Sequence, residues 1–424
     1  MGRLITPADY MPVPLIAVFG DSRLSNGWNT VANGGADSLA ESIQGWIEFL
    51  SGARVRFPSA LNFGVAGETS AQMLARVDAC ITAMLAAGSS AVLILGSTND
   101  RSNSLAIDGA GGTKENLSAI ATAFRRAGIQ VIWITEMPRG DGTYTSARLA
   151  GQQLAYHMEI HRWLGARPML YPGELAVDAW ATFANFSSST GDAIVGLTHD
   201  GLHPSGSGAI AIARACLPVI DMLFPPLPIT PGGNADVYGA NNPYGTPFSN
   251  PGFSGTGGTV SPTGFSGTLP DNYTGSNCPS GISQVCSIIT SGGRKKVQLA
   301  CSGTTVATGA TWYALLQYQA TASAVGVAAG NKYRLLWPVE WDALTNVRHI
   351  SAAFITNNAN RYALRNQNSR DFPQTAEAGV LQTDTLTIQS GVTVAQLSLQ
   401  VVFAAAAASA ATIRVSEPLV IRDL

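Results

Sequence analysis

The sequence predicts an α/β domain, a parallel sheet of roughly five strands layered between helices, joined to an all-β sandwich. Three observations carry this. Residues 1–224 alternate short apolar β-type runs with longer amphipathic stretches, the grammar of strands and crossover helices. At Phe224-Pro225-Pro226-Leu227-Pro228 that grammar stops, and about fifty residues rich in Gly, Asn, Pro, Ser and Thr follow, where helices cannot persist. From residue 283 onward short alternating segments return with no helical spacing between them. The expected organisation is a first domain over 1–224, a linker over 225–249 and a sandwich over 250–424.

In the first domain the strand candidates are Leu15-Phe19, Val55-Asn62, Ala91-Leu95, Val131-Thr135 and Pro168-Tyr171. Helical spacing runs over Ala36-Leu50, Ser70-Leu85, Lys114-Ala127, Thr145-Leu164 and Ser205-Leu223. In the second part Lys296-Cys301, Thr311-Tyr318, Lys332-Trp341, Val347-Ile355, Thr385-Gln389, Ala395-Phe403 and Thr412-Ile421 alternate as strands do. The tract Ala404-Ala408 interrupts them, and because alanine favours helix it is expected as a tight connection or a close-packed strand end. Gly-Phe-Ser-Gly-Thr occurs at 252–256 and again at 264–268, which reads as two similar turns flanking a strand.

Composition narrows the function classes. The 424 residues carry a net charge of −2, which leaves no electrostatic footprint for nucleic acid or an anionic membrane. The apolar stretch Phe403-Ala411 falls far short of the roughly 20 residues that cross a bilayer, so no membrane span is expected. Charged residues make up only 12% of the chain, a balance suited to secreted, surface or phage-particle proteins. Met1-Gly2-Arg3-Leu4-Ile5-Thr6-Pro7 lacks the apolar core of a secretory signal, so an extracellular or virion location would be reached by another route or through a segment preceding this sequence. The five cysteines show no CxxC pair and no clustered His, against structural zinc. Cys80 and Cys216 fall in helical patterns as buried thiols; Cys278 and Cys286 are near enough in sequence to bridge.

The chemistry begins at Val18-Phe19-Gly20-Asp21-Ser22, an apolar strand that ends at a serine. Alone, such a serine is more often a helix cap than a nucleophile. Asp200-Gly201-Leu202-His203-Pro204 changes that reading, because it supplies an imidazole with a carboxylate three residues before it. Between them, Asn62-Phe63-Gly64-Val65-Ala66-Gly67-Glu68-Thr69 and Leu95-Gly96-Ser97-Thr98-Asn99-Asp100 each follow a strand, and ligands bind beyond the carboxyl ends of such strands. Backbone N–H groups of Ser22 and Gly67 and the amide of Asn99 are expected to form an oxyanion hole, with His203 as general base and Asp200 as its orienter. His199 lacks the three-residue offset and reads as a loop histidine. His157 and His161, one helical turn apart with no carboxylate or Cys in register, read as a solvated helix face. Asp100 is expected to hydrogen-bond within its loop and fix Asn99.

These residues in this order resemble the SGNH hydrolases, also called GDSL-type lipases and esterases, over residues 15–222. The resemblance implies a flavodoxin-like α/β/α domain, Ser22 as nucleophile and oxyanion donor, Gly67 and Asn99 as the other donors, Asp200 and His203 as the remaining triad members, and no metal or cofactor. Two departures stand out. Arg23 occupies a place where the family often has Leu, and Ser97 stands two before Asn99 where the family has Gly. The Gly-x-Ser-x-Gly elbow of the α/β-hydrolases is missing.

The second half looks like a carbohydrate-binding jelly roll of the kind that follows SGNH domains in phage tail proteins and polysaccharide esterases. A plain spacer or oligomerisation sandwich is the competing reading, and exposed aromatics among Trp312, Tyr313, Tyr318, Trp337 and Trp341 would decide. Arg23, Asn26, Trp28, Glu68, Thr69 and Arg101 make the expected crevice polar, with Arg23, Trp28, Glu68 and Arg101 as candidate substrate-binding residues. The expected activity is deacetylation of an O-acetylated polysaccharide, with homo-oligomerisation or attachment to a larger particle as further expectations. A lipase or lysophospholipase, and a non-catalytic glycan-binding adhesion protein, are the alternatives.

Overall fold

The computed structural model describes residues 13–30, 36–103, 105–140, 152–226, 233–239, 241–242, 245–260, 264–275, 278–305, 313–365 and 371–423. In chain order the first part builds β1 (Ile16–Gly20), α1 (Ser22–Ser25), β2 (Trp28–Thr30), β3 (Ala36–Ser38), α2 (Ile43–Leu50), β4 (Asn62–Gly64), α3 (Ser70–Ala75), α4 (Val77–Ala87) and β5 (Ala91–Leu95). It continues with α5 (Thr98–Ser102), α6 (Thr113–Arg126), β6 (Gln130–Ile134), α7 (Gln152–Leu170), β7 (Glu174–Val177), α8 (Ala179–Phe183) and α9 (Gly206–Leu223).

Five of these strands form a parallel sheet in the order β4-β1-β5-β6-β7. Every residue of β1 and β5 is buried, which is why both read as unbroken apolar runs: each face is covered by helices. Phe19, Ile94, Trp133, Phe124 and Ile160 pack on one side with α4, α6 and α7. Val18, Leu93, Ile132, Trp46 and Ile212 pack on the other with α2 and α9. The chain leaves β1 toward β4 and returns on the opposite flank as β5, so the strand order reverses beside β1. In an open α/β sheet that reversal opens a crevice at the carboxyl end of the strand, where Ser22 lies.

Several expected elements sit elsewhere. Pro168-Tyr171 is not a strand: Pro168 lies in the last turn of α7, and the strand that follows is β7. Of Val55-Asn62 only Asn62 is strand; Val55 and Phe57 are buried in the loop before it. The stretch Ala36-Leu50 begins with β3 and turns helical only after Ser42, whose hydroxyl accepts from the Gly45 amide as an N-cap. Ser70-Leu85 is broken at Arg76 into α3 and α4. Residues 145–151 of the fourth expected helix lie outside the described residues. By length and composition α9 would suffice to cross a bilayer, contrary to expectation, but Ala209, Ile212, Ala213, Cys216 and Ile220 bury its inner face in the core.

The C-terminal part forms two sheets whose inner faces share a core, as the alternation predicts. One contains Tyr313–Thr321, Val347–Thr356 and Val394–Phe403; the other contains Ile282–Ser291, Arg294–Thr304, Lys332–Trp341 and Ala408–Val415. Residues 404–407 make the tight turn between two of these strands, with Ala406 at φ +52°. Tyr318, Trp337 and Trp341 are in the core, so none offers a sugar-stacking face. Trp312 lies outside the described residues.

The two parts are packed into one continuous apolar core. Phe49 of α2 stacks on Trp341, with ring centroids 5.1 Å apart, and Trp46 meets Phe372 at 5.7 Å. Beside them Arg365 donates its amide to the Ser38 carbonyl at 2.7 Å and pairs with Asp37 at 2.9 Å. The five cysteines are free thiols, and Cys278 and Cys286 are not bridged.

Candidate active site

Gly20 ends β1 where any side chain would collide: a Cβ there would lie 2.0 Å from the Leu95 carbonyl oxygen. This closeness lets the Asp21 amide donate to Leu95 at 3.1 Å, so the chain turns at once into α1. Ser22 thus stands at the first position of α1, at the carboxyl edge of the sheet.

The His203 loop is built locally. Asp200 accepts from the backbone amides of Leu202 at 2.9 Å and His203 at 2.7 Å through one carboxylate oxygen. Gly201 supplies the positive φ, +83°, that this turn requires. The other Asp200 oxygen accepts from His203 Nδ1 at 2.6 Å, and His203 Nε2 accepts from Ser22 Oγ at 2.8 Å. That chain assigns the tautomer with its proton on Nδ1. Partial burial works against the Asp200 charge, but the His203 amide and imidazole and the Leu202 amide outweigh it and hold the carboxyl down to about 2. Ser205, capping α9 through Gly208, anchors the loop from its far side.

A hydroxyl, an imidazole and a carboxylate joined in this order can relay a proton from serine and make its oxygen nucleophilic. His199, Asp200 and His203 also place ligand atoms within 4.8 Å of one another, as a cation site would. Both His203 ring nitrogens are already engaged, by Asp200 and Ser22, and the group serves the serine. His199 stacks on His203 with centroids 5.6 Å apart.

The other expected donors lie on the flanking loops. Gly67, exposed after β4, has φ +79°. Asn99, in α5, donates its side-chain amide to the Glu68 carbonyl at 2.9 Å, which ties the loop after β5 to the loop after β4. Asp100 reaches beyond its own loop: it accepts from the Ser70 amide at 2.7 Å, the Ser70 hydroxyl at 2.6 Å and Thr113 at 2.7 Å, stitching α3, α5 and α6 together.

Two candidate substrate-binding residues face inward. Arg23 is 2% exposed, donating to Asp21 and pairing with Glu136 Oε2 at 3.0 Å, so its charge is spent under the site. Burial alone would lower its pKa, but Asp21 and Glu136 raise it above the ordinary value. Arg101 is buried as well and donates to Thr113. Glu68 is engaged by Arg76 through paired bonds of 2.9 and 2.8 Å from Nε. Trp28 is half-buried against the core. Asn26 is half-buried beside Ser25, and Thr69 caps α3 through Gln72.

His157 and His161 do not form a solvated face. His157 is fully buried, its Nε2 on the Met137 carbonyl and 3.6 Å from Glu136, and burial pushes it down to about 4. His161 packs against Trp180, ring centroids 5.7 Å apart. Glu136 itself, at the carboxyl end of β6, is the functional candidate that motif reading missed. Its signal was an acidic residue two positions after a strand in a sheet whose ligands bind at that edge.

Residues 18–210 match the sequence model described as the GDSL-like Lipase/Acylhydrolase family. This supports GDSL-like acylhydrolase character for the N-terminal domain, and the family implies ester hydrolysis. No curated protein matches the chain. Among solved structures, a GDSL-like lipase from Bacteroides thetaiotaomicron aligns at 15% identity and TM-score 0.35, covering 49% of this chain and 88% of that one. A member of the lipolytic G-D-S-L family from Veillonella parvula aligns at 16% identity and TM-score 0.33, over 49% and 99%. A catalytic mutant of an acetylxylan esterase from Geobacillus stearothermophilus aligns at 18% identity and TM-score 0.34, over 48% and 93%.

Proposed function

We propose that the N-terminal domain, with its GDSL-like acylhydrolase character, is a serine esterase that removes acetyl groups from an O-acetylated polysaccharide. The observation that carries the chemistry is the hydrogen-bonded chain from Ser22 through His203 to Asp200, with links of 2.8 and 2.6 Å. Ser22 Oγ gives its proton to His203 Nε2 and attacks the ester carbonyl. The carbonyl oxygen becomes an oxyanion facing the Ser22 and Gly67 amides and the Asn99 side chain, donors worth about 3 kcal/mol each in comparable sites. His203 then protonates the leaving alkoxide, and water, deprotonated by the same imidazole, releases acetate from the acyl-enzyme.

The polysaccharide reading rests on the sandwich packed directly against the catalytic domain, which would hold a glycan near the enzyme. The test is acetate release from O-acetylated glycans by the wild type and by Ser22→Ala. Undiminished release by the variant sinks the mechanism.

One observation favours the lipase alternative. The hairpin that closes with Ala184 bridged to Ala193 carries Phe186, 77% exposed, and leads through Ile194 and Val195, 45% and 95% exposed, into the His203 loop. An apolar rim so close to a catalytic loop suits an acyl chain. A p-nitrophenyl ester series separates the two: a sharp preference for acetate supports deacetylation, whereas rates that climb with acyl length and fall in Phe186→Ser support the lipase.

A further inference from the structure

Glu136 is a fully buried carboxylate that the triad does not use; besides His157 of α7, its partners belong to segments that bear the site. It follows β6, the second strand from β1 in the sheet, yet it reaches back past β5 to Arg23, the neighbour of Ser22, with contacts of 3.0 and 3.4 Å. On the way its Oε1 accepts from the Ser97 hydroxyl. Ser97 has φ +126° and ψ −10°, a backbone conformation that glycine adopts freely and serine does not. Two residues on stands Asn99. The same segment after β6 also sends Arg139 to the Thr98 carbonyl at 3.1 Å and hydroxyl at 3.0 Å.

Arg23 and Ser97, the two departures from the expected motif, therefore meet on one residue. With leucine at 23, Glu136 would lack its cation; with glycine at 97, it would lose the hydroxyl it binds. We propose that Glu136 is a positioning residue that locks the Ser22 turn, through Arg23, and the Asn99 loop, through Ser97, into one rigid unit. It holds the Asn99 amide at a fixed distance from the Ser22 oxygen and touches no substrate. The proposal rests on the esterase reading above.

The test measures kcat and KM on p-nitrophenyl acetate for the full chain and for Glu136→Gln, Ser97→Ala, Asn99→Ala and the doubles of the first two with Asn99→Ala, with folding followed by circular dichroism. Misplacing a catalytic donor costs on the order of 100-fold, so Glu136→Gln is expected to lower kcat by about 10–100-fold with KM within about threefold. In the Asn99→Ala background, the same substitution is expected to cost less than about threefold, since the amide it positions is gone. Should Glu136→Gln not fold, Ser97→Ala carries the test, because it cuts only the link to the Asn99 loop and predicts the same non-additivity. A residue that merely stabilises the fold would leave kcat of the folded fraction unchanged, or would lower it equally in both backgrounds; either result overturns the proposal. If Ser22→Ala is as active as the wild type, the esterase reading fails and takes the proposal with it. If Ser22→Ala is inactive and Glu136→Gln is fully active, the proposal alone fails.

Discussion

Replacing Arg23 with leucine, the residue the motif leads one to expect, should destabilise the protein in a way that depends on pH. The Arg23 side chain is 1% exposed and sits between Asp21 Oδ2 at 2.6 Å and Glu136 Oε2 at 3.0 Å. Removing one member of a buried ion cluster costs about 3–5 kcal/mol, because the remaining charges lose their partner while staying dry. Burial of the leucine side chain recovers about 2 kcal/mol, so the net loss near neutral pH is about 1–3 kcal/mol. In the native protein burial raises the Glu136 pKa, but Arg23 foremost, with His157 and Ser97, holds the carboxyl well below the usual range. Without Arg23 the burial wins and the folded-state pKa rises above the unfolded value. Between those two values the folded state keeps a proton that the unfolded state has released, so stability falls as pH rises. The deficit should therefore be largest at pH 8 and shrink toward pH 5, as read from urea midpoints at an unchanged m-value. A deficit that grows on acidification, or a variant within about 0.5 kcal/mol of the wild type at both pH values, a margin typical of a neutral surface change, would refute the reasoning.

Ser97→Ala and Ser97→Gly both lose the hydroxyl bond to Glu136, but only glycine relaxes the φ of +126°; Ser97→Ala should be the less stable by about 1–3 kcal/mol in chemical denaturation. Asp200→Asn removes the acceptor that fixes the His203 tautomer and should lower kcat/KM on p-nitrophenyl acetate by roughly 100- to 10,000-fold with little change in melting temperature. Glu48 of α2 is buried and accepts from the Phe57 amide, and burial, opposed only in part by that bond and by Arg56, pushes its carboxyl up to about 8. Its folded-state pKa exceeds the unfolded one, so its contribution is complete below about pH 4.5 and is lost as pH climbs to 8. Glu48→Gln should consequently gain melting temperature over the wild type as pH is raised from 5 to 8, and a flat difference would contradict this.

The parallel sheet was legible because burial on both faces leaves strands such as Ala91–Leu95 as short runs with no polar interruption between longer amphipathic stretches. Ser22, Gly67, Asn99, Asp200 and His203 could be singled out for a related reason: each follows a strand or opens a helix at the carboxyl edge of the sheet, so a local motif implies a location. Arg23, Arg101 and His157 defeated the same reasoning. Charge and helical periodicity place such residues in the crevice or in solvent, and what overrides that placement is the set of partners the fold supplies; Arg23 is buried between Asp21, two positions before it, and Glu136, 113 positions along the chain. Ser97 shows the limit most clearly. A serine where glycine is expected looks like a weakened loop, yet its strained backbone is held by a hydroxyl bond to the very carboxylate that neutralises Arg23. The two irregularities in the motif are thus one feature. Restoring leucine at position 23 should therefore harm the protein more than its conservative appearance suggests, since Arg23 is held both by Asp21 beside it in sequence and by Glu136 far along the chain.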